Sequence, residues 1–96
     1  MTKETIAQVL EAEGVGAAKE TRFAVPENRE AVGLISTPGD VMQFDRLVVI
    51  ELRDKYLVLE NAKHERHFFT YDSVLGLRLL AGPAARERVA GFGRSA

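Results

Sequence analysis

The feature that most constrains this chain is an apolar ribbon between residues 47 and 80. Within it, Leu47-Val48-Val49-Ile50-Glu51-Leu52, Tyr56-Leu57-Val58-Leu59 and Val74-Leu75-Gly76-Leu77-Arg78-Leu79-Leu80 are separated only by short polar breaks. Successive strand residues point to opposite faces, so a half-exposed strand alternates apolar with polar, and a continuous apolar run signals cover on both sides. A sheet built from these runs therefore needs something packed against its front and its back.

The segments around the ribbon supply turns rather than crossovers. Thr2 or Thr5 can cap a first helix running to about Glu13, with Ile6, Val9 and Leu10 on one face and Glu4, Gln8 and Glu11 on the other. Gly14 is placed to end it in the left-handed conformation, with Val15 available for a contact just beyond. Residues 16–19 read as a connector. From Thr21 the period is two: residues 22–25 form a short strand stopped by Pro26, and residues 31–36 form the next. Thr37-Pro38-Gly39-Asp40 has proline then glycine at the centre, as a type II turn requires, so residues 41–44 return beside residues 31–36. Asp45-Arg46 marks a bulge or break before residue 47. Tight reversals at residues 53–55 and 61–64 separate the strands 47–52, 56–60 and 65–71, and Asp72-Ser73 breaks the chain before the last strand, 74–80. Gly76 marks a bulge or a close backbone approach.

The connections are too short for parallel crossovers. The expected fold is mainly β (α+β): an amphipathic N-terminal helix, then a small, strongly bent antiparallel sheet or partly closed β-barrel of about six strands. Residues 1–82 form a single globular domain. Residues 83–96 form a short helix or a flexible tail, with Pro83 opening a helix over residues 84–90.

Ninety-six residues with 46% hydrophobic and 28% charged side chains suit one ordinary globule. The net charge of −1 provides no field to gather a polyanion, although Arg86, Arg88 and Arg94 outweigh Glu87 near the end. The absence of cysteine excludes disulfides and thiolate metal sites and fits a reducing compartment. With no basic and apolar leader and no long apolar span, the chain reads as cytoplasmic.

Chemistry-bearing patterns are sparse. His64 and His67 stand three apart, on opposite faces of a strand, and no third ligand lies near, so no metal site is expected. Ser36, Ser73 and Ser95 have no general base in context, and Asp72-Ser73 reads as backbone capping in a turn. The glycines compose no phosphate loop or dinucleotide fingerprint. The expectation is a non-enzyme without cofactors. In residues 65–71, His67, Phe69 and Tyr71 share one face, expected inside, whereas Arg66, Phe68 and Thr70 share the outer one.

Phe44-Asp45-Arg46-Leu47-Val48-Val49-Ile50-Glu51-Leu52, followed by Phe69-Thr70-Tyr71-Asp72-Ser73-Val74, resembles the bacterial Sm-like RNA chaperones, in which an Asp-containing strand precedes a Tyr-Lys-His motif. Here Asp72-Ser73 stand where those proteins carry the Lys-His pair that handles RNA, and the intervening segment is longer. The resemblance covers at most half the chain and implies a similar shape, with no function carried over.

If one face of the ribbon closes into the core, part of the set Leu47, Val49, Leu57, Leu59 and Phe68 must be covered from outside, since apolar area is worth roughly 25 cal/mol per Å². The leading expectation is a module that self-associates or docks on another protein through sheet edges and apolar faces, using Leu47, Val49, Leu57, Leu59, Arg66 and Phe68. An RNA-binding small barrel using Arg66, Phe68 and the arginine-bearing tail is a second reading. A small-ligand sensor with its site near His67 and Tyr71 is a third.

Overall fold

The computed structural model describes residues 1–19 and 21–81. Among these residues one helix, α1 (Lys3–Ala12), precedes seven strands: β1 (Ala17–Lys19), β2 (Arg22–Ala24), β3 (Arg29–Thr37), β4 (Asp40–Leu52), β5 (Tyr56–Asn61), β6 (Arg66–Thr70) and β7 (Val74–Ala81). A 3₁₀ turn, Tyr71–Ser73, joins β6 to β7. Every strand pair is antiparallel. Residues 83–96, with the expected helix at 84–90, lie outside the described residues.

Both ends of α1 follow from local chemistry. Thr2, rather than Thr5, is the cap: its Oγ1 accepts the Thr5 N–H at 3.1 Å. At the other end, the Val15 N–H reaches the Leu10 carbonyl at 2.8 Å and the Gly14 N–H reaches that of Glu11 at 3.1 Å. Gly14 supplies the left-handed residue, φ 80°, that this pair of bonds needs. Val15 then packs in the same buried cluster as Ile6 and Leu10.

β1 corrects the reading of residues 16–19 as a connector. Ala17-Ala18-Lys19 has no strand pattern of its own; pairing with β2, Ala17 against Phe23 and Lys19 against Arg22, imposes the extended conformation.

β4 organises the sheet. Its Leu47 faces both Ala31 and Asn61, and its Val49 faces both Ala24 and Glu60. Hence β3 and β2 lie end to end along one edge of β4, with β5 along the other. Two bulges interrupt it. Between Phe44 and Leu47 two residues oppose the single Val32, with Arg46 at φ 55°, and between Leu47 and Val49 the residue Val48 is extra. The expected bulge or break at Asp45-Arg46 is thus a bulge. Each extra residue resets the alternation, so Phe44, Leu47, Ile50 and Leu52 all turn toward one core despite spacings of three, three and two.

The lateral order is β7-β3-β4-β5-β6, with β1-β2 on the far half of β4. β6 and β7 therefore sit at opposite ends of that order yet are joined by three residues. Such a link spans at most about 15 Å between flanking Cα atoms, whereas four flat strand spacings need about 19 Å. The sheet must bend, and the Phe44 ring accordingly lies 4.4 Å from His67 and 6.0 Å from Phe69. The bend stops short of closure: among the described residues β6 pairs with β5 and β7 with β3, and the two do not pair with each other.

This packing corrects a central expectation. Leu47 is 2% exposed and Leu57 and Leu59 are fully buried, all within the cluster that holds Ile6 and Leu10 of α1. They need no cover from a second subunit, because the double bulge turns Leu47, Ile50 and Leu52 onto the concave face that holds Leu57 and Leu59, and the helix and the bend seal it.

Candidate interaction surface

The convex face of β4, β5 and β6 is fixed by register: Arg22, Glu51, Val58 and Phe68 lie in one row across the strands. Val58 is buried although it faces outward, flanked in register by Glu51 and Phe68. Glu51, only 8% exposed, is held by Arg53 Nε at 2.5 Å from Oε2 and Arg22 Nη1 at 3.7 Å from Oε1. Among the described residues Oε2 accepts no hydrogen bond, so the Arg53 contact serves it as charge compensation. One row further, Glu60 lies 4.0 Å from Arg66 Nε and 3.6 Å from His64 Nδ1. Charged side chains thus share with Val49 and Val58 the second face that looked apolar in sequence.

At the outer end of this face the character changes. Phe68 is 59% exposed and Tyr56 42%, with ring centroids 6.0 Å apart. The Arg66 guanidinium carbon stands 5.7 Å from the Phe68 centroid, within cation–π range. Of the residues singled out in sequence, Arg66 and Phe68 come together here, Val49 is half-buried opposite Ala24 and Glu60, and Leu47, Leu57 and Leu59 are in the core. Tyr56 was missed. It pairs directly with Thr70, and only the register shows that it is the diagonal neighbour of Phe68.

The histidines do not converge. His67 packs edge-on against Phe44, while His64 sits in the β5–β6 loop at φ 65° beside Glu60. Asn61 shapes that loop, its Oδ1 accepting the Lys63 and Glu65 N–H groups at 3.0 Å each. Among the described residues no three of His, Asp and Glu are grouped to hold a metal ion. Ser73 Oγ donates to the Thr70 carbonyl at 2.7 Å, a bond local to the 3₁₀ turn.

Two open clefts, of about 470 and 400 Å³, meet at Arg46 and Ala62. Their linings mix both signs of charge, Glu27, Arg29 and Glu30 in one and Asp45, Lys63 and Glu65 in the other. Neither is lined by His67 or Tyr71. The Tyr71 hydroxyl instead donates to the Arg53 carbonyl, and burial, then the charges of Asp54 and Glu4, raise its pKa above the ordinary 10.0.

Comparison with family models, with curated proteins and with solved structures finds no match to this chain. Among the described residues no helix is long and apolar enough to cross a membrane.

Proposed function

We propose that this chain is a non-enzymatic interaction module that self-associates or docks into a larger assembly through a sheet edge. The observation that carries this reading is the exposed Phe68 and Tyr56 pair on β6 and β5, with β6 paired on one side only among the described residues and Arg66 over the ring. Neighbouring aromatic side chains this exposed forfeit hydrophobic stabilisation in water, and a one-sided strand has backbone groups to share. The bend, read as a partly closed barrel, suits this role because it leaves edges rather than a closed wall. Sedimentation from about 1 to 100 μM should show mass above the 10.6 kDa of one chain. A single 10.6 kDa species throughout overturns the reading for self-association.

A second reading, binding of single-stranded RNA, is favoured by one observation: an arginine within cation–π range of an exposed aromatic, with a second aromatic beside it. Its test is a titration with an oligonucleotide at low and raised salt, since phosphate contacts release counterions. Absence of binding at low salt removes it.

A further inference from the structure

We infer that β6 is a two-fold interface: two copies of this chain pair their β6 strands antiparallel, centred on Phe68. The inference rests on the self-association proposed above and specifies its strand, register and symmetry.

Among the described residues four stretches of strand are paired on one side only, and three carry protection. β1 has three residues and a register shift, and β7 is bulged between Val74 and Gly76 and carries the exposed Arg78 within its regular stretch, Gly76–Ala81. The first half of β4 ends in the Arg46 bulge and bears Asp40 and Asp45. Bulges, short length and charge are the usual means of keeping an edge from pairing. β6 has no bulge and its one charge, Arg66, stands at its end: its register with β5 runs unshifted from Tyr56↔Thr70 to Glu60↔Arg66, it contains no proline or lysine, and its middle residue is the exposed Phe68.

The residue order of β6 suits a two-fold. Pairing Arg66-His67-Phe68-Phe69-Thr70 with itself about its centre sets Phe68 against Phe68 of the partner subunit and Arg66 against Thr70 of the partner subunit. No like charges meet, and the two exposed rings become direct cross-strand neighbours. His67 comes opposite Phe69 of the partner subunit, adding an aromatic pair on the concave side. A two-fold uses up the edge on both copies and closes the assembly at two, without continuing into a filament.

The chain has no cysteine, so register can be read by disulfide capture. Antiparallel partners hold their Cα atoms about 4.5–5.5 Å apart, within disulfide reach. An equimolar mixture of Arg66→Cys and Thr70→Cys chains, oxidised with glutathione, should give the mixed dimer as the main product, and each variant alone should give little. Phe68→Asp, which places two carboxylates face to face, should weaken association about tenfold or more, with circular dichroism reporting that the sheet is retained. If the wild type is oligomeric, but the mixture crosslinks no better than the single variants and Phe68→Asp leaves the mass unchanged, β6 is not the interface and self-association stands on another surface. If the wild type remains a single chain up to 100 μM, both readings fall.

Discussion

At Leu59 the physics of this molecule is most concentrated. The side chain is fully buried, and its Cδ1 lies 3.4 Å from where a Cβ on Gly33 would stand. Leu59→Ala should cost about 2–5 kcal/mol in urea unfolding, the usual cost of an internal cavity. Gly33→Leu approaches the same spot from the other side and should cost about 1–3 kcal/mol, because Leu59 and Leu47 already occupy the space. Tyr71 is expected to contribute stability that is lost in alkali. Folding raises its pKa, through burial first and then Asp54 and Glu4, so the native chain holds this proton to higher pH than the unfolded chain does. Its contribution is full below about 10 and is lost as pH climbs through the folded value. Urea unfolding at pH 9 and pH 11 should show a smaller loss for Tyr71→Phe than for wild type, and equal losses would exclude this origin. The inward set Phe69 and Tyr71 and the outward Phe68 were legible from alternation alone. The burial of Leu47, Leu57 and Leu59 inside one protomer was not, because alternation cannot count bulges.

The elements differ in how much local sequence dictates them. α1 is locally specified at both ends, by the Thr2 cap and by Gly14 with Val15, and Gly14→Ala should destabilise the protein by about 1 kcal/mol or more, since φ 80° strains any residue bearing a Cβ. A urea midpoint unchanged by this substitution would mean that the helix end is not held by the cap bonds. The β3–β4 hairpin is likewise local, with Gly39 at φ 83° as its Pro-Gly turn demands. β1 is the opposite case, a strand made by its partner. On the convex face, Glu51 is the buried member of an ion cluster whose arginines are both largely exposed. Replacing Arg22 and Arg53 together should therefore destabilise more than replacing Glu51, as it strands a carboxylate away from water while the reverse leaves two solvated cations. Thermal melts of the two variants decide the order.

For the whole molecule, the consequence of the double bulge is a bent, open sheet with α1 in its concave side. If β6 pairs between copies, the melting temperature should rise with protein concentration, since assembly stabilises the folded form by mass action, and Phe68→Asp should abolish that dependence. A concentration-independent melting temperature for the wild type would count against assembly. Read by itself, the amino-acid order determined an N-terminal amphipathic helix, antiparallel pairing by short turns, and the alternation that sends Phe68 outward. Those properties depend on neighbours a few residues apart. Tertiary structure alone decided that Arg46 and Val48 are the residues absorbed as bulges, that Leu47, Ile50 and Leu52 therefore turn onto the concave face with Leu57 and Leu59, and that Tyr56 joins Phe68 and Arg66 at a shared edge. A bulge is chosen by the register that the whole sheet can satisfy, and register is a sum over pairings far apart in the chain.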